Sequence, residues 1–364
     1  MRVCLFGGYD RDHSRNRVIR RALESVSVEV SECYDRASNR VLRASRLVGQ
    51  FRRAQKSADL ILVGASGHMY MPMAWLLGRI YRRPVVLDAF VSYYEVWCEE
   101  PGTSLVKRWA GLAVDWIATR LADLVLIDTK EHVDYLIRLT GTARERIHAV
   151  PVGSDASVQV PGSLPQVPPF RVLFAGSFLP LHGVGTICEA ARLLRGESGI
   201  VIEIIGCGEA SKQLEQDYAD AHIQFRNRMS YTEYVAHLGQ SHLALGAFGT
   251  TPKTERVIPC KVYDAMAAGV PVITANVPAV WGLLRHGENA WLVPPGNAEA
   301  LAEAIRTLRR DATLRARLAG EAQAAFRRHC APQRVGEILL AILEPLIGTS
   351  QVPDAIPPSC GPES

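Results

Sequence analysis

Short, continuously apolar runs alternate with longer amphipathic ones along almost the whole chain, and no other feature restricts its fold so much. In the first half RVCLF, VSVEV, DLILVG, PVVLD and LADLVLIDT alternate with helical stretches at 15–25, 42–56 and 71–81, and with one more that feeds the last strand. Strands without polar alternation are buried on both faces, which calls for a parallel sheet covered by helices above and below. The pattern stops at 151–169, where five prolines stand among small polar residues without periodicity, as at a domain boundary. It resumes with RVLFAGS, IVIEIIGCG, HIQFRN, HLALGAF, PVITA and NAWLVPPG. The expected architecture is α/β, with two doubly wound, Rossmann-like parallel-sheet domains facing each other across a cleft. They span 1–152 and 170–330, joined by a linker at 153–169. A helix at 331–348 is expected to pack back on the first domain, and the proline-rich tail at 349–364 to be disordered. Ligands of such sheets bind beyond the carboxyl ends of the strands, so the strand-to-helix loops should carry the chemistry.

Several function classes drop out. The eight cysteines form no CxxC pair and no metal-ligand spacing, which points to reduced thiols and to no bound metal. MRVCLFGGYD reads as a first buried strand and not as a signal peptide, and no run of apolar residues is long enough to span a bilayer. A cytoplasmic protein is expected, with a peripheral place at the inner face of the membrane as the alternative. That alternative comes from 11–53, which carries eleven arginines: these form either a solvated face or a basic surface for anionic phospholipid. Nucleic acid is not an expected partner, because no helix-turn-helix, finger or aromatic RNA-binding motif accompanies the charge.

Three loops of the second half follow strands directly. Gly176 leaves one strand and Gly183 opens the next helix, where exposed N–H groups favour an anion. Gly206 and Gly208 follow a second strand, although paired glycines often serve only a tight turn. In the third, RVIPCKVYDAMAAG, Pro259 suits a first helical turn, with Lys261 and Asp264 three residues apart just inside it. A cation there opposes the helix dipole by roughly 0.3–1 kcal/mol unless an anion lies between them. The chain also uses thirty-five arginines and only six lysines, so this lysine reads as a compact point charge for a bound anion. In the first half Gly7 and Gly8 follow the first strand, His68 ends another and is expected to face the cleft, and Asp88 ends a third. Asp128-Thr129 reads as a helix cap.

In this order the segments GGYDRDHSRNR, VVLDAFVSYYE, ADLVLIDTKEHVDYL, GSFLPLHGVGTICEAARLL, LALGAFGTTPKTERVIPCKVYDAMAAGVPVIT and HGENAWLVPPGNAEALAEAI resemble a retaining glycosyltransferase of family 4 with the GT-B fold. The resemblance covers the chain up to its tail. It implies a nucleotide-diphosphate sugar as donor, bound by the second domain around Gly176, Ser177, His182, Gly183, Gly206, Gly208, Arg256, Val257, Ile258, Lys261 and Asp264, with Asp264 on the ribose hydroxyls. It also implies a sugar, lipid-linked or small-molecule acceptor on the side of Gly7, Gly8, His68, Asp88 and Ser92, and no cofactor or metal. Two departures stand out. Arg256 occupies the position of the family's first carboxylate, and Ser177 and His182 replace the two cations of the first loop. The expected consequence is that Arg256 and Lys261 together meet the diphosphate with help from His182, and that Asp88, in place of the family's histidine, joins them as a catalytic candidate. An epimerase or hydrolase on the same fold, or a catalytically silent binding module, are the alternative readings.

Overall fold

The computed structural model describes residues 1–54, 58–98, 102–155, 168–206, 211–221 and 223–348. It contains two six-stranded sheets, parallel throughout. The first is ordered β2-β1-β3-β4-β5-β6, from β1 (Arg2–Gly7), β2 (Glu29–Tyr34), β3 (Leu60–Val63), β4 (Val85–Asp88), β5 (Leu124–Ile127) and β6 (Ile147–Ala149). Its helices are α1 (Ser14–Ser25), α2 (Arg40–Ala54), α3 (Met71–Tyr81), α4 (Tyr93–Cys98), α5 (Leu105–Leu121) and α6 (Lys130–Thr140). The second is ordered β12-β11-β10-β7-β8-β9, from β7 (Phe170–Ala175), β8 (Ile200–Ile205), β9 (Ile223–Arg226), β10 (Leu243–Leu245), β11 (Val272–Ala275) and β12 (Trp291–Val293). Around it lie α7 (Val184–Leu193), α8 (Ser211–Asp217), α9 (Tyr231–Gly239), α10 (Cys260–Ala268), α11 (Ala298–Arg310) and α12 (Ala312–His329), before α13 (Pro332–Gly348).

The central strands β3, β4 and β5 are buried at every residue, as continuous apolar runs require. The edge strand β2 differs. It begins at Glu29, three residues later than the VSVEV run predicts, because its half-exposed positions carry Glu29, Ser31 and Glu32 and no apolar run marks it. On one face of the first sheet, α2, α3, α5 and α6 build a core around Phe6, Phe51, Leu77 and Ile127. On the other, α1 and α13 pack together, with Val335, Leu339 and Leu343 against Ile19 and Leu23. Gly336 sits against the Ala22 carbonyl of α1, where a Cβ would collide. The chain's last described helix thus covers the first domain. Most of the expected linker, 156–167, and the tail at 349–364 lie outside the described residues.

Seven of the eleven arginines of 11–53 are engaged within the chain. Arg11 pairs with Glu32 at 2.8 Å, Arg36 with Asp10 at 3.6 Å, Arg46 with Asp35 at 3.4 Å and Arg20 with Glu24 at 4.0 Å. Arg43 donates to the Tyr70 hydroxyl at 2.8 Å. Arg15 and Arg17 turn inward. Arg15 is fully buried, with Nε 2.9 Å from Asp88 Oδ2, Nη2 3.1 Å from Asp88 Oδ1, and Nη1 donating to the carbonyls of Val150 and Pro151.

That pair joins α1, the end of β4 and the exit from β6. Burying either charge alone would be costly, so Arg15→Met or Asp88→Leu should each destabilise the chain by about 3–5 kcal/mol. Urea unfolding of the singles and of the double variant checks this: the double should regain most of the loss.

Candidate active site

The carboxyl ends of the second sheet are shaped by backbone packing. After β7 the chain passes through Gly176 (φ 155°), makes a 3-10 turn over Pro180–His182 and enters α7 at Gly183 (φ 61°), a left-handed residue that favours glycine. Gly206, leaving β8, leans on the Gly176 carbonyl, where a Cβ would overlap it. The loop after β10 is fastened to the first one: Phe248 N–H donates to the His182 carbonyl at 3.0 Å and Gly249 N–H to that of Leu181 at 3.1 Å. Gly208 lies outside the described residues.

Into this frame α10 delivers Lys261. Its ammonium stands 4.3 Å above the Phe174 ring and beside Gly176, is buried, and has no hydrogen-bond partner among the described residues. Burial lowers its pKa to about 7, with Cys260 and Asp264 opposing the shift. His182 also borders Gly176, with Nδ1 against the Ser177 carbonyl. Burial, and then Lys261, hold its pKa down to about 3, so the ring is neutral. With Nδ1–H donating to that carbonyl, Nε2 carries a lone pair and would donate to an anion only after taking up a proton. One turn along α10, Asp264 Oδ1 accepts from the Ser154 hydroxyl at 2.7 Å and the Tyr231 hydroxyl at 3.1 Å. Burial raises this carboxyl to about 6 against those two hydrogen bonds. The Arg17 guanidinium lies 4.0 Å over the Tyr231 ring and 3.0 Å from Asp155, so α1 of the first domain reaches this site.

Arg256 does not stand beside Lys261 over one anion. Its guanidinium reaches Glu95 of α4 in the first domain, with Nη2 2.5 Å and Nε 3.0 Å from Oε1, and lies 4.1 Å over the Tyr135 ring. Lys253 Nζ is 3.5 Å from Glu95 Oε2, and His132 Nε2 is 3.2 Å from the same oxygen. His132 Nδ1 is 2.7 Å from Asp128 Oδ1, and the Thr129 hydroxyl donates to the Arg256 carbonyl. Burial alone would raise Glu95, but His132, Lys253 and Arg256 hold it down to about 2. Burial likewise opposes the His132 charge, but Asp128 and Glu95 hold the imidazolium up to about 9. Val257 is half-buried after this anchor, and Ile258 packs in the core.

The first-domain candidates divide. Gly7 and Gly8 run beneath the Tyr70 ring, and Gly8 lines a cavity of about 180 Å³ with Asp10, His13, Asn16, Ser66 and Tyr70. Asp88 is the inward partner of Arg15 and does not open to the cleft: the cost of burying it is met by an ion pair. His68 does not face the cleft either. It is buried 3.5 Å from Asp115 and edge-on to Tyr93 at 5.1 Å, and burial holds it neutral, with a pKa of about 4. The Ser92 hydroxyl donates to Asp115 at 2.6 Å and accepts from Glu95 N–H at 3.0 Å, a helix cap. Thr129 caps α6, as its sequence position predicts. Glu95, His132, Lys253, Ser154, Tyr231 and Arg17 had not been singled out.

Residues 169–311 match the family described as glycosyl transferases, group 1. The second domain resembles the group 1 glycosyltransferases, and the chain has the GT-B fold. It is 28% identical to the amylovoran biosynthesis glycosyltransferase of Erwinia amylovora over 183 residues, 47% of this chain and 44% of that one. It is 26% identical to the alpha-D-kanosaminyltransferase of Streptomyces kanamyceticus over 265 residues, 68% and 67%. The chain thus aligns with about half to two thirds of the length of these relatives. Its fold matches an Anabaena protein solved with UDP and glucose, at a TM-score of 0.72 and 16% identity over 95% of this chain and 100% of that one. Sucrose-phosphate synthase of Thermosynechococcus elongatus gives 0.75 and 15% over 96% and 100%.

The charged cluster predicts a pH signature. The contribution of His132⁺ is complete below its ordinary pKa of 6.5 and lost as pH rises through about 9, a change worth about 3 kcal/mol. That of Glu95 is present above about 4.5 and lost as pH falls toward 2. Urea unfolding at a series of pH values should show the alkaline decline, and His132→Gln should remove it.

Proposed function

We propose that this chain transfers a sugar, with retention and without a metal, from a nucleotide-diphosphate sugar to an acceptor hydroxyl in the cytoplasm. The acceptor is a sugar, a lipid-linked molecule or a small molecule, in the assembly of a polysaccharide, glycolipid or other glycoconjugate. One observation carries the reading: a buried lysine without a hydrogen-bond partner among the described residues stands at the glycine loop where a strand ends and a helix begins. An ammonium taken out of water is stabilised by an anion, and here the diphosphate would supply it. Charge develops on that diphosphate as the glycosidic bond breaks, and a cation already fixed in a dry site needs no reorganisation to meet it. Asp264 would take the ribose hydroxyls in exchange for its present hydroxyl partners, and the cavity beside Gly8 would receive the acceptor. The Anabaena protein's UDP and glucose, and the sugar transfers named for the relatives, support the same reading.

Arg256 favours a second reading, a silent binding module. It stands where the family has a carboxylate, and Glu95 already engages it. Thermal shift against UDP, GDP, ADP and TDP, followed by product analysis with the matching sugar nucleotides, separates the readings. The cognate diphosphate at a hundred times its dissociation constant should add about 2.7 kcal/mol. Binding without transfer would leave the module, and free sugar or an altered sugar nucleotide without acceptor would point to a hydrolase or epimerase.

Lys261→Ala should lower turnover by about 2–4 kcal/mol of transition-state stabilisation, the scale of one lost oxyanion donor. Arg256→Ala should act first on stability, through Glu95. Turnover that falls equally in both variants would return Arg256 to the diphosphate.

Binding should also take up protons. Lys261 has a pKa of about 7 in the empty site, and an anion beside it would raise that value. Calorimetry at pH 8 in buffers of different ionisation enthalpy should give a net uptake by the wild-type chain that is lost in Lys261→Met. Asp264→Asn should retain the uptake and bind about thirtyfold more weakly, for a charge-assisted hydrogen bond of about 2 kcal/mol.

A further inference from the structure

Helix α5 is built inside out. Its inner face carries Gly111, Asp115, Ala118 and Thr119. Its outer face carries Leu105, Val106, Trp109, Trp116 and Ile117 at helical spacing, with Val106 80% and Trp109 68% exposed. The inner polarity has a task, because Asp115 accepts from the Ser92 hydroxyl and from the N–H groups of Tyr93 and Tyr94 at 2.9 Å, closing the start of α4. The outer stripe has no such account. Single exposed apolar residues are ordinary, whereas a stripe along a whole helix marks a contact surface.

The stripe continues onto α3. Strands β3, β4 and β5 are neighbours in sequence order, and right-handed crossovers put α3 and α5 on one face of the sheet, where both pack. Leu76 and Ile80, 61% exposed, extend the apolar area there. The exposed cations across 71–84 and 102–122 are Arg79, Arg82, Arg108 and Arg120, and the one carboxylate there is the buried Asp115. Asp123, at the end of α5, lies 3.8 Å from Arg79, and Glu99 and Glu100 fall outside the described residues. Arg120 lies 5.1 Å from the centre of the Trp116 ring.

We propose that the α3–α5 face of the first domain docks on an anionic lipid bilayer, with α5 lying in the interfacial plane. No helix among the described residues is long and apolar enough to cross a membrane. A helix whose exposed face carries tryptophans beside arginines suits the boundary between headgroups and acyl chains. Charge selects this occupant over a second copy of the chain: two such faces together would oppose like charges, while anionic headgroups attract them. The proposal does not depend on the sugar transfer.

Flotation of the full chain with vesicles of phosphatidylcholine, and of phosphatidylcholine with phosphatidylglycerol, tests it. Wild type should float with the anionic vesicles and shift its tryptophan emission to the blue. Trp109→Ser with Trp116→Ser should lower the partition coefficient about tenfold or more. Arg108→Gln and Arg120→Gln should each cut the anionic preference about fivefold. These side chains are exposed, so circular dichroism melts should match wild type. Equal flotation with neutral and anionic vesicles, or unchanged flotation of the tryptophan variant, overturns the proposal. So does a dimer in sedimentation equilibrium that Trp109→Ser dissociates while vesicles recover no protein, which assigns the face to a second copy.

Discussion

The carboxylate of Glu95 balances Arg256, Lys253 and His132 in a space from which water is excluded, and the relation between the two sheets depends on it. A buried charge is tolerated only when its partners are in place. Here the anion comes from α4 and two of the cations come from the loop after β10. That same loop leads into α10, the helix that carries Lys261 and Asp264. The anchor that joins the domains therefore also positions the start of the site, and a displacement of α4 would be felt at the diphosphate end of the cleft.

The site itself is unusual for how far several groups lie from their ordinary ionisation. Burial has moved Lys261 down and Asp264 up, while His182 is held neutral between Lys261 and a backbone carbonyl. The removal of water is the largest cause of all three shifts, and it places Lys261 and Asp264 close to a change of charge near neutral pH. An incoming ligand meets side chains whose protonation it can reset.

Most of the strands were legible because a parallel strand covered on both faces is a continuous apolar run, whatever its neighbours. The edge strand β2 was misplaced because it is half solvated and carries Glu29 and Glu32. Lys261 could be singled out from local evidence, a rare lysine at a helix start, and the structure sets it beside Gly176. The surroundings of Asp88, His68 and Arg256 were not legible, for one common reason. Each is decided by a partner remote in sequence: Arg15 lies 73 residues from Asp88, and Glu95 lies 161 from Arg256. No spacing rule sees such a pair. The outward stripe of α5 was also missed, since an amphipathic pattern alone does not say which side faces the sheet.

The interlocked loops at the end of the second sheet have a consequence for how this chain can change over generations. Gly206 rests on the Gly176 carbonyl, and the Phe248 and Gly249 amides are tied to the turn that ends at Gly183, so the backbone outline tolerates no added side chain at these contacts. A mutation there disturbs two loops at once. Neutral drift is thereby channelled into the side chains that project from the outline, such as Ser177, His182 and Arg256, and inherited novelty at this site should arise by exchanging its charges within an unchanging mould.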